Sequence, residues 1–118
     1  MKRLLIALAL VVILSSAAHA GIEGTYICKG TNPGGTGTYE GTVSIVKNNA
    51  NYNVTWNIGA QVYVGVGILE GERFSVGYAD VNQGWFGVVV YTVSGNKLRG
   101  AWAMHGDNKN GTEELTRR

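Results

Sequence analysis

Between Asn51 and Ile58 every second residue is apolar. Tyr52, Val54, Trp56 and Ile58 fall on one side, and Asn51, Asn53, Thr55 and Asn57 on the other. A helix would spread these four apolar residues around its circumference, whereas an extended strand, whose side chains alternate between faces, gathers them on one. The segment predicts a strand with one buried face, and the pattern recurs along the chain. Ile22, Gly24, Tyr26 and Cys28 are in phase within Gly21 to Lys29, and Tyr39, Gly41, Val43 and Ile45 mark the next strand. Val62, Val64, Val66 and Ile68 are in phase within Val62 to Leu69, and Phe74, Val76 and Tyr78 within Arg73 to Ala79. Trp85 to Val93, Lys97 to Met104 (with Leu98, Gly100, Trp102 and Met104 in phase) and Thr112 to Thr116 complete eight. The in-phase set of each strand is expected to face the core, with Tyr52, Trp56 and Trp102 as its aromatic anchors.

The connections decide how such strands are joined. Asn32-Pro33-Gly34-Gly35, Lys47-Asn48-Asn49, Gly59-Ala60, Glu70-Gly71-Glu72, Asn82-Gln83-Gly84, Ser94-Gly95-Asn96 and Asp107 to Gly111 are turn-forming stretches, nearly all too short for a crossover helix. Each strand is therefore expected to pair antiparallel with the next. The predicted fold is all-β, an eight-stranded up-and-down meander closed into a small barrel, which leaves no exposed edge. Gly41, Gly65, Gly67, Gly77, Gly87 and Gly100 interrupt the strands. They permit tight coiling and give aromatic neighbours room to lie across the backbone.

The opening Met1-Lys2-Arg3, the apolar run Leu4 to Leu14 and the small-residue end Ala18-His19-Ala20 match a secretory signal peptide over residues 1–20. Cleavage after Ala20 is expected to leave Gly21 at the N-terminus of a single domain, 21–118, exported to the periplasm or the medium. The apolar run is shorter than the roughly 20 residues a transmembrane helix needs, so no transmembrane anchor is expected in the mature chain. Loss of Lys2 and Arg3 would leave eight basic against eight acidic residues. With the bases scattered singly, nucleic acid is excluded as an expected partner. One cysteine, Cys28, cannot form an internal disulfide; it reads as a small buried hydrophobe, with a reactive thiol or an intermolecular bridge as the alternative.

No constellation for catalysis stands out. His105 is the only histidine left after cleavage and has neither a second histidine nor a nucleophile beside it. Asp107 to Gly111 imitates a calcium loop, but Lys109 occupies the third ligand position, so a hairpin turn is expected. Glu113 and Glu114 are adjacent in a strand and must point to opposite faces, so they cannot act together on a substrate. Neither an enzyme nor a cofactor or metal is expected. The aromatic residues Trp56, Trp85, Trp102, Tyr52, Tyr63, Tyr78 and Tyr91 are read as a filled core, the alternative being the lining of a ligand pocket in a barrel mouth.

Several segments together resemble a family of small exported bacterial proteins often labelled "fibronectin-binding": Gly24-Thr25-Tyr26, Gly30-Thr31-Asn32-Pro33, Tyr39-Glu40-Gly41-Thr42-Val43, Tyr52 to Gly59, Leu98-Arg99-Gly100-Ala101-Trp102 and Gly111 to Leu115. The resemblance covers essentially all of the mature chain, rests on strand starts and core aromatics, and offers no catalytic residues to carry over. The opening Gly24-Thr25-Tyr26 is also similar to the start of lipocalin and avidin barrels, with Tyr26 where those usually have tryptophan. The expected function is non-enzymatic binding, of an unidentified protein partner in the host matrix or the cell envelope, rather than of a small molecule. Loops are the expected contact sites, with Asn32, Asp80, Asn82, Gln83, His105, Asp107 and Asn108 as candidates. The alternative is a carrier of a small apolar ligand in the barrel interior.

Overall fold

A computed structural model describes residues 21–118; the expected signal peptide lies outside the described residues. Eight strands are present, β1 (Gly24–Thr31), β2 (Thr38–Asn48), β3 (Asn51–Ile58), β4 (Gln61–Glu70), β5 (Arg73–Asp80), β6 (Phe86–Ser94), β7 (Lys97–Met104) and β8 (Gly111–Arg117), close to the expected positions except that β1 starts at Gly24 rather than Gly21 and Trp85, expected in the core, is exposed in the loop before β6. Each pairs antiparallel with its successor, and β8 returns to β1 to close the barrel. A single 3-10 turn, Pro33–Gly35, interrupts the β1–β2 connection. No described helix is long and apolar enough to cross a membrane.

Because the strands alternate in direction, the connections fall into two sets at opposite ends of the barrel. One end is shut. The segment before β1 folds across it, so that Ile22 is buried and its carbonyl accepts the Tyr26 hydroxyl at 2.7 Å. Arg117 ties the same segment down by donating to the carbonyls of Gly21 and Glu23, with its guanidinium over the Tyr26 ring. Above this plug Tyr26, Cys28, Ile45, Phe74, Tyr91, Leu98 and Leu115 are fully buried and fill the lower barrel. Tyr52 and Trp56 belong to this core, as expected. Trp102 is only partly buried and packs against the core from above. Cys28 is wholly buried, and burial, reinforced by the nearby Glu113, pushes its thiol well above the usual range, so it serves as a core residue and not as a nucleophile.

One strand is turned inside out relative to its expected face. In β4 the aliphatic series points to solvent, with Val64 43%, Val66 53% and Ile68 55% exposed. The alternate positions Tyr63, Gly65, Gly67 and Leu69 face inward. Interior volume accounts for the reversal. A Cβ on Gly67 would stand 2.5 Å from the Phe74 ring, and one on Gly65 would stand 2.5 Å from the Gly77 carbonyl oxygen and meet Val76 and the Trp56 indole. Aromatic side chains of the neighbouring strands occupy the space that inward β4 side chains would need, and a narrow barrel has none to spare. The displaced aliphatics form part of an apolar outer face. Val66 lies opposite Gly77, Gly77 opposite Val88, and Phe86, Val88 and Val90 on β6 are also exposed.

Candidate functional site

The open end of the barrel holds a cavity of about 220 Å³. The interior is thus filled below and hollow above, and the expectation of a filled core holds for only one half. Five aromatic side chains line the cavity: Tyr39, Trp56, Tyr63, Tyr78 and Trp102. Ile58, Val89 and Met104 add apolar surface, and Asn32, Gln61 and Glu113 are the polar members.

The aromatic wall depends on glycines directly across the strands. Tyr39 is paired with Gly30, Tyr78 with Gly87 and Trp102 with Gly111. A Cβ on Gly30 or Gly111 would collide with the partner ring, and one on Gly87 with the Tyr78 hydroxyl and the Ala103 carbonyl. The rings therefore lie over bare backbone, so they line the wall rather than crossing the interior. They also meet edge to face: Trp56 and Tyr78 at 5.8 Å between centroids, Tyr63 and Tyr78 at 5.9 Å, and Tyr39 and Trp102 at 6.2 Å. Such pairs prefer this geometry because the positive ring edge faces the negative ring face.

Glu113 is the charged group at the bottom of this cavity. It is 7% exposed and lies opposite two glycines, Gly30 on β1 and Gly100 on β7. The Tyr39 hydroxyl donates to Oε1 at 2.6 Å, the Trp56 indole N–H donates to Oε2 at 3.0 Å, and the Tyr91 hydroxyl donates to the same Oε2. Among the described residues no cation forms an ion pair with it. Its neighbour Glu114 points outward, as the alternation requires, and pairs with Arg99 at 2.6 Å and Lys97 at 3.6 Å. Burial, and then the Glu113 carboxylate, push the Tyr39 and Tyr91 hydroxyls well above the ordinary phenol range, so both remain donors at any physiological pH.

The candidate loop residues all lie at or near the cavity end, but few of them take part in its lining. Asn32 does. Asp80 is buried at the rim, and one carboxylate oxygen accepts the backbone N–H groups of Asn82 and Gln83, both at 2.7 Å, so its work is to shape the turn. Asn82, Gln83, Asp107 and Asn108 are exposed in the β5–β6 and β7–β8 rim loops. His105 is exposed and stacks on Phe86 with centroids 4.7 Å apart. No group of three or more metal-ligating side chains occurs among the described residues. Glu113 itself is missing from the sequence-based candidates. The signal that marks it is positional: it shares a phase with Leu115, which places a carboxylate on a strand's buried face.

No protein-family model matches the chain, and no curated protein matches it. A solved structure, a de novo designed fluorescence-activating β-barrel, is similar with a TM-score of 0.63 over 90% of this chain and all of the other, at 13% identity. At that identity the likeness concerns the fold alone.

Proposed function

We propose that the protein is an exported, non-enzymatic carrier or receptor that takes a small molecule into the open end of its barrel. The observation that carries this reading is the half-hollow interior, a 220 Å³ cavity walled by aromatic rings around one buried carboxylate. An apolar cavity of ~150 Å³ already admits benzene, so this one suits a guest with one or two small rings. A rigid wall with few polar groups is the common form of a ligand site in a barrel mouth. Acid–base chemistry would call for a second group able to exchange protons near neutral pH. Beside Glu113 stand tyrosines, the Trp56 indole and the Cys28 thiol, and that thiol and the hydroxyls of Tyr39, Tyr78 and Tyr91 are held above their usual range.

Native mass spectrometry of protein taken from its own host is expected to show a stoichiometric small molecule. Calorimetric titration of the emptied protein with naphthol is expected to give one site, lost when Gln61→Trp places an indole in the mouth. Protein that carries no small molecule and takes up no naphthol would overturn the reading.

A second reading, recognition of a protein partner, is favoured by the outer face on which Val66, Ile68, Phe86 and Val88 are each more than half exposed. Cross-linking in the native host is expected to trap a partner that the Val66→Lys variant no longer reaches. A cross-linking pattern unchanged by that substitution would count against it.

A further inference from the structure

Four of the polar hydrogens of the cavity wall are spent within the protein. Tyr39 and Trp56 donate to Glu113, Tyr78 donates to the Ala103 carbonyl at 2.9 Å, and the Trp102 indole N–H donates to the Thr112 carbonyl at 3.3 Å. A guest therefore meets ring π-systems, the Met104 sulfur and carboxylate oxygen, all electron-rich, with the Tyr63 hydroxyl and the Asn32 and Gln61 amides as the remaining polar groups of the wall. Oε1 of Glu113 accepts a single hydrogen bond and so keeps acceptor capacity for a donor entering from the cavity.

Charge points the same way. Among the described residues no Lys, Arg or His lines the cavity. At this end of the barrel Asp80 and Asp107 add to Glu113, against Lys109 in the last loop. Lys109 is drawn toward the neighbouring loop, its side chain lying against Gly34. The Glu113 carboxylate thus has three neutral hydrogen-bond donors and no cation, within a low-polarity wall where an unneutralised charge is costly. An incoming cation would supply the missing countercharge, and the aromatic rings would attract it through their quadrupoles. An anion would be repelled by the same groups.

We propose that the guest is a small organic cation, an ammonium group on an aromatic or aliphatic body, with its charge directed at Glu113 and its body among the rings. This rests on the ligand-binding reading above and narrows it to one chemical class. The test compares three near-isosteric probes by calorimetry on the unaltered protein: phenethylamine, cationic at neutral pH; phenethyl alcohol, neutral; and phenylacetate, anionic.

The amine is expected to bind roughly tenfold or more tightly than the alcohol, the scale of a desolvated cation–π contact, with phenylacetate showing no binding. In Glu113→Gln the preference for the amine over the alcohol is expected to collapse. The three-probe comparison decides the matter on the unaltered protein even if that variant does not fold. Equal binding of amine and alcohol, tightest binding of phenylacetate, or an undiminished preference in a folded Glu113→Gln protein would each overturn the inference. Naphthol binding with equal affinity for amine and alcohol would overturn the cation class and leave the ligand-binding reading standing.

Discussion

Replacing Glu113 by alanine is expected to lower the unfolding free energy by about 2–5 kcal/mol, because it leaves buried hydrogen-bond donors without an acceptor. The substitution strands the Trp56 indole N–H and the Tyr91 hydroxyl inside the barrel and frees the Tyr39 hydroxyl beside the cavity. A buried donor left without a partner costs about 1–3 kcal/mol, and two of these three have no route to water except through the cavity. Relief of the carboxylate's own desolvation offsets part of the loss. Glu113→Gln keeps the shape and one acceptor oxygen and is expected to cost about 1–2 kcal/mol, since hydrogen bonds to a neutral acceptor are weaker than those to a charged one. Urea unfolding of the two variants checks the order, and a Glu113→Ala protein within 1 kcal/mol of the parent would show that the three donors find other partners.

Trp56→Ala is expected to cost about 3–5 kcal/mol, as deletions of large buried aromatic side chains do. The indole is 4% exposed, packs edge to face on Tyr78 and supplies one of the hydrogen bonds to Glu113. It also stands beside Gly65, so its removal opens a void that the small inward residues of β4 cannot collapse to fill. Against a total of roughly 5–15 kcal/mol for a domain of this kind, such a loss takes a large fraction of the stability. The same change at Trp102 is expected to cost only about 1–2 kcal/mol, because its ring is partly exposed on the cavity wall and the space it leaves is open to water. Equilibrium unfolding followed by the emission of the remaining tryptophans separates the two. Equal losses at both sites would mean that Trp102 is as much a core residue as Trp56.

The local pattern alone determined the strands and their order. Asn51–Ile58 and Lys97–Met104 are strands at the residues that the alternation marks. Short turns left each strand no neighbour within reach except the next, and β8 closes on β1. The phase of β3 was legible for the same reason: asparagine and threonine alternate with aromatic and aliphatic residues, so one face alone suits burial. In β4 both faces carry apolar or small residues, and periodicity cannot choose between valine and glycine for the inside. The bulk of Phe74 and Trp56 on the adjoining strands chose, and that bulk is a property of the closed barrel rather than of the segment.

The site divides in the same way. Alternation alone separated Glu113 from Glu114, but which of them faces inward was not read from the sequence, although Glu113 shares a strand phase with Leu115. What the carboxylate meets there was decided only in three dimensions, by Tyr39, Trp56 and Tyr91 arriving from β2, β3 and β6. The cavity depended on a balance of volumes that no single strand records. Lower down, Tyr26, Phe74, Tyr91 and Leu115 fill the barrel from all sides, whereas higher up Tyr39, Tyr78 and Trp102 lie against Gly30, Gly87 and Gly111 and leave a cavity between them. Each strand carries its own pattern of large and small residues, but only closure sets which of them face one another across the interior, and that pairing determines where space remains.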